Sequence, residues 1–215
     1  MSTRSRVTAI AALALAAGLA QAQSAPFVVF ENGDGIELTG LQIDLEVVDL
    51  GTQVRFIVAN NSTLESRVTS IYFELTDLSF GALSNPIIEN NAGVNYEDDK
   101  VAPRKPAGSI KHHGGDWGGT FYGLKPTVPQ PNFTGMTTGE SVSIVFDLVN
   151  GYSGADIANA LSNDPVGFRV AMHIQSVGDS GASVWAVADT LVPSPGALAV
   201  FGAGSLVAFR RRRAA

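Results

Sequence analysis

From Leu41 onward the chain alternates. Leu41, Ile43, Leu45 and Val47 interleave with Gln42, Asp44, Glu46 and Val48, the period-two pattern of a half-buried strand. Asp49-Leu50-Gly51 interrupts it. Alternation resumes over 53–59 with Val54, Phe56 and Val58 on one face, which predicts a hairpin about Gly51. Asn60-Asn61-Ser62 ends that pair. A strand over 66–75 follows, through Ile71, Phe73 and Leu75. Two more are predicted over 141–148 (Val142, Ile144, Phe146, Leu148) and 168–175 (Phe168, Val170, Met172, Ile174), and 183–187 reads as a closing strand. Only 154–162 departs from period two: Ala155, Ile157, Ala158 and Leu161 have helical spacing. Many strands, one short helix and Gly-rich turns predict an all-β fold, an antiparallel β-sandwich with jelly-roll-like connections.

The two ends of the chain have a different character. Residues 1–22 read as a secretory signal peptide: Arg4 and Arg6 are basic, 9–20 is apolar, and Ala20-Gln21-Ala22 is a small-x-small cleavage site, so the mature chain would begin at Gln23. At the other end, residues 191–209 carry no charge over 19 positions, close to the ~20 that a helix needs to cross a bilayer core. Pro193 and Pro195 stand at the start of this stretch, where a missing N–H does no harm. Arg210, Arg211, Arg212 and Arg213 close it, and four consecutive charges suit the cytoplasmic side of a membrane. The expected organisation is therefore a signal peptide (1–22), one β-sandwich domain (23–190) and an anchor tail (191–215), with the domain outside the cytoplasm.

Pro193, Ser194, Pro195 and Gly196, then a short Gly/Ala/Leu-rich segment, then the arginines form a three-part order. It resembles the PEP-CTERM sorting signal of Gram-negative bacteria over about a tenth of the chain. The resemblance implies recognition of Pro193-Ser194-Pro195 by an exosortase, an integral-membrane cysteine transpeptidase, with Ser194 standing where the family usually has Glu. It also implies retention in the inner membrane followed by delivery to the cell surface or medium. The implied role is that of a non-enzymatic surface or matrix component accompanying exopolysaccharide.

Charge narrows the list of partners. Of the 14 basic residues, six belong to the two terminal signals, which leaves eight against all 20 acidic residues, a formal charge of −12 for the domain. Such a surface repels nucleic acid and anionic lipid. The chain has no cysteine, so an exported domain would be held by its core rather than by disulfides, and thiolate chemistry is excluded.

Candidate chemistry is sparse. His112-His113 with Asp116 could hold zinc or copper if a loop let the rings converge, although a solvated loop is the favoured reading, and His173 stands on a predicted strand. Asn32-Gly33-Asp34-Gly35 resembles a fragment of a calcium loop. It reads more readily as a hairpin turn between 27–30 and 36–38. Glu97-Asp98-Asp99, with Lys100 beside it, presents the same choice, so no cofactor is expected unless calcium. The long irregular stretch 81–119 contains Trp117 between glycines, followed by Phe121 and Tyr122. Trp117 and Tyr122 are the candidate ligand-binding residues, as an exposed platform for stacking on sugars, against the plainer reading that Trp117 plugs one end of the fold. The carbohydrate-binding module this would make is the first alternative. A secreted hydrolase is the second, but no nucleophile motif, zinc motif or P-loop occurs, and no carboxylate pair is singled out.

Overall fold

The computed structural model describes residues 22–32, 35, 37–99, 117–128, 134–163 and 167–193. The expected signal peptide up to Gln21, the tail from Ser194, and His112, His113, Asp116, Gly33, Asp34 and Lys100 lie outside the described residues. Among the described residues no helix is long and apolar enough to cross a membrane.

The fold is all-β and every registered strand pair is antiparallel. In chain order the strands are β1 (Ala22–Asn32), β2 (Ile43–Asp49), β3 (Gln53–Asn60), β4 (Arg67–Glu74), β5 (Leu83–Asn90), β6 (Tyr96–Asp98), β7 (Thr120–Pro126), β8 (Met136–Thr137), β9 (Ser141–Leu148), β10 (Val170–Val177), β11 (Ala182–Ala188) and β12 (Val192–Pro193). Helix α1 (Asp77–Ala82) precedes β5, and α2 (Gly154–Ser162) joins β9 to β10. The strands form one sheet in the order β5-β9-β3-β2-β1-β11-β10-β4-β7-β6, with β12 paired to β1 and β8 to β4.

β1 makes the sheet continuous. Its first half, 22–26, pairs with β2, and its second half pairs with β11 from Phe27 opposite Ala188 to Asn32 opposite Val184. The register slips between Val29 and Glu31, and such a bulge sharpens the local bend and twist. The opposite margins also approach. Asn90 at the end of β5 accepts from the Tyr96 backbone N–H at 2.8 Å and donates to the Tyr96 carbonyl at 3.0 Å. One side-chain amide thus stands in for a ladder pair, and the sheet is nearly closed, like a barrel.

Inside, the two halves share a cluster of phenylalanines. Phe56 and Phe146 come from β3 and β9, Phe73 from β4, and Phe168 from just before β10. Phe56 meets Phe73 at 5.1 Å and Phe146 at 5.8 Å, both edge-to-face, the preferred aromatic geometry. The alternating positions read from the sequence supply this core: Ile43, Leu45, Val47, Val54, Phe56, Val58, Val142, Ile144 and Phe146 are all buried. The hairpin turns at Gly51, whose φ of +86° suits glycine and whose N–H donates to Asp49 Oδ1 at 2.8 Å.

Helix α2 has the expected bounds. Its Ser153 cap accepts from the Asp156 N–H at 3.3 Å, and Asp156 Oδ2 accepts from the Ser153 N–H at 2.8 Å, a reciprocal capping arrangement. The bonds from Ser153 hold the Asp156 carboxyl below its ordinary pKa. Ile157, Ala158 and Leu161 are buried, whereas Ala155 faces outward.

Three expectations are corrected. The 27–38 hairpin does not form: Phe27–Asn32 pairs with β11, and Glu37 and Leu38 are not in a strand. The stretch 81–119 is not uniformly irregular, because it contains β5 and β6. β5 lies at a sheet margin with most of its residues on neither side buried, and Pro86 sits where its register slips between Ser84 and Ile87. A marginal strand tolerates a proline and carries no alternating apolar face. Finally, Leu75 lies past the end of β4 and is exposed rather than facing the core.

Candidate functional site

Trp117 is buried, with 5 % of its surface exposed, and Tyr122 is buried as well. Neither is an exposed sugar platform. The reason lies beneath the Trp117-Gly118-Gly119 segment, where β4 ends in Glu74 and Arg169 leads into β10. Their backbones are adjacent, with Glu74 N–H donating to the Arg169 carbonyl at 2.9 Å. Arg169 Nε donates to Glu74 Oε2 at 2.6 Å and Nη2 donates to Oε1, a two-pronged ion pair in which both side chains are almost wholly buried. The Gly118 N–H donates to Glu74 Oε1 at 2.9 Å, and the Trp117 ring lies over the guanidinium at 5.6 Å. A buried ion pair is tolerable only when such extra bonds satisfy it. Trp117 Nε1 also donates to Thr120 Oγ1 at 3.3 Å.

The glycines serve this closure. A Cβ on Gly118 would stand 2.9 Å from the Leu75 carbonyl oxygen, and Gly119 has a φ of +132°. They bring the backbone down onto Glu74 rather than lifting Trp117 off the surface. Tyr122 points into the phenylalanine cluster, 5.5 Å edge-to-face from Phe146. Burial, and secondarily the charge of Asp98, pushes its phenol pKa up to about 12. Tyr96 is raised too, chiefly by burial, while its hydroxyl ties β6 to the Val68 carbonyl of β4 at 2.5 Å and accepts from the Met136 N–H of β8 at 3.1 Å.

The outward face of β4, β10 and β11 carries aromatic groups that sequence reasoning missed. Trp185 stacks on His173 at 4.6 Å and on Tyr72 at 6.0 Å, and Thr69 Oγ1 lies 2.9 Å from His173 Nδ1. Partial burial lowers the His173 pKa. Trp117 and Tyr72 belong to the same small apolar cluster with Ala171. The signal for the Glu74–Arg169 pair was present in the sequence, since Phe73-Glu74 and Phe168-Arg169 are opposite charges that each follow a core phenylalanine.

The acidic cluster is partly neutralised by Lys125. Lys125 Nζ lies 3.7 Å from both Glu97 and Asp99. Among the described residues no group of three or more His, Asp or Glu side chains is placed to hold a metal ion. Two indentations flank α2. One is lined by Gln23, Val47, Asp49 and Gly154, the other by Leu161, Gly167, Phe168 and Arg169, and each has a volume of about 10 Å³. That is room for a single water.

Of Pro193, Ser194, Pro195 and Gly196, the residues read from the sequence as a sorting element, Pro193 is described. It is the last residue of β12 and pairs with Gln23, while Val192 pairs with Ser24. Among the described residues the first and last strands thus pair with each other. No family model matches the chain, and neither the curated proteins nor the solved structures contain a match to it.

Proposed function

We propose that this protein is an exported, membrane- or surface-anchored β-sandwich module with jelly-roll-like connections. In this reading it is a non-enzymatic component of the cell surface or extracellular matrix, delivered by a PEP-CTERM-type route. One observation carries the reading. Among the described residues the strands run from Ala22 to Pro193, so they cover the stretch 23–190 read as the domain and reach into the last residue of the expected leader and the first residues of the expected tail. The Glu74–Arg169 pair is sealed under Trp117 and serves as internal structure rather than as a reactive pair. In the proposed topology, residues 197–209 sit in the inner membrane, Arg210 to Arg213 stay in the cytoplasm, and an exosortase-type transpeptidase acts near Pro193-Ser194-Pro195. Exopolysaccharide is the matrix partner.

The test is deletion of 194–215, with fractionation of the producing cell. The reading expects the full chain in the membrane or at the surface and the shortened chain in soluble exported fractions. Equal membrane association of the two chains overturns it.

A further inference from the structure

We propose that Asn150-Gly151, in the turn between β9 and α2, is a self-modification site: it closes on itself to a cyclic imide, takes up water, and thereby unties helix α1 from the turn. The site is independent of the sorting reading above.

The local fold presents both reacting groups to water. Asn150 has a φ of +55° and Gly151 of +79°, and the Tyr152 N–H closes the turn on the Val149 carbonyl at 3.2 Å. Positive φ at both central positions marks a type I′ turn, which Asn-Gly favours. Both residues are exposed. The Gly151 N–H makes no hydrogen bond among the described residues, and the space where a Cβ would stand is open. The nitrogen is therefore free to lose its proton and is unshielded by a side chain.

Other described asparagines lack this combination. The N–H that follows Asn60 is bound to the Gln42 carbonyl, the one after Asn61 to Asn60 Oδ1, and the one after Asn95 to Asn90 Oδ1. Asn85 precedes Pro86, which has no N–H, and Asn159 lies inside α2. Asn90 and Asn91 precede residues whose side chains crowd the nitrogen. Gly33 and Asp164, which follow Asn32 and Asn163, lie outside the described residues.

In the step, the Gly151 nitrogen attacks Asn150 Cγ. An N–Cγ bond forms, the Cγ–Nδ2 bond breaks, and ammonia leaves with the proton that the nitrogen gave up. Water then opens the five-membered imide at either carbonyl. The product is aspartate, or its isomer in which the main chain runs through the side-chain carbon.

The amide that is lost has a structural task. Asn150 Nδ2 donates to the Gly81 carbonyl at 2.7 Å, beside the bond from the Val149 N–H to the Ala82 carbonyl at 3.0 Å, and together they tie the end of α1 to the turn. Helix α1 has six residues, and so short a helix depends on bonds from outside it. A carboxylate at 150 has no proton to donate and repels the Gly81 oxygen. Local opening of the exposed turn frees the amide for reaction without unfolding the sheet.

The test incubates the folded protein at mildly alkaline pH and maps aspartate and isoaspartate at each asparagine by peptide mass and isoaspartate-specific methylation. Wild type, Asn150→Gln and Gly151→Ala are compared, with the wild-type chain unfolded in urea as reference. Conversion at Asn150 is expected to run roughly ten-fold faster than at Asn91, to vanish in Asn150→Gln, whose longer side chain cannot close the five-membered ring, and to slow several-fold in Gly151→Ala. A rate at Asn150 no faster than at Asn91 overturns the proposal. So does a folded protein that stays intact at Asn150 while the unfolded chain reacts there, since the bond to Gly81 would then shut the site. Asn150→Asp carries the product's carboxylate and is expected to lower Tm by roughly 2–4 °C; an unchanged Tm overturns the untying of α1.

Discussion

Replacing Trp117 by alanine separates the buried reading of this residue from the exposed one by a wide margin. Its ring packs with Tyr72 and Ala171 and roofs the Glu74–Arg169 pair. Truncating a buried tryptophan costs about 3–5 kcal/mol through lost transfer energy and an unfilled cavity. Loss of the cation–π contact, about 0.5–2 kcal/mol, and entry of water over the ion pair push toward the upper end. For a domain of this size each kcal/mol moves Tm by roughly 2–4 °C, so the expected drop is about 6–20 °C. Thermal unfolding followed by circular dichroism reads it directly, with polysaccharide pull-down run on the same samples. An exposed residue would change stability by no more than about 0.5 kcal/mol. A Tm shift under about 2 °C together with lost polysaccharide binding would refute the buried site and restore Trp117 as a sugar platform.

Three further outcomes follow from the same geometry. Gly118→Ala forces a Cβ against the Leu75 carbonyl and disturbs the N–H bond to Glu74, so it lowers stability by about 1–3 kcal/mol in denaturant titration; an unchanged midpoint would contradict the close approach. Ser153→Ala removes the α2 cap and costs about 1 kcal/mol, seen as a Tm drop of roughly 2–4 °C. The Tyr122 phenol has its folded pKa raised from 10 to about 12, so its contribution is fully present below pH 10 and is lost as pH climbs through that window. Tyr122→Phe should flatten the fall in stability between pH 10 and 12, and an identical alkaline profile in the two proteins would place the phenol in water.

What the sequence revealed follows from how burial writes itself into a chain. β2, β3 and β9 each bury one face, and burial on one face imposes period two, so their bounds and core residues were legible. Helix α2 was legible because Ile157, Ala158 and Leu161 keep helical spacing behind a serine cap. β5 was not, because a marginal strand with exposed faces and a proline at a bulge writes no period. Helix α1 is six residues long, too short for periodicity, and its cap pairs Thr76 with Ser79 rather than with Glu or Gln. Trp117 was ambiguous for a different reason. Flanking glycines permit either a projecting ring or a close backbone approach, and the choice depends on Glu74 and Arg169, which are 95 positions apart. The β1–β12 pairing was illegible because the described part of β12, Val192 and Pro193, carries no pattern.

The central claim is that the folded domain lies between two processed signals. Intact mass of the protein recovered from the producing cell's envelope and medium tests it most directly. The account predicts a species that begins at Gln23 and ends close to Pro193–Gly196. A mass that still includes residues 1–22, or one that runs to Ala215 in every fraction, would contradict it.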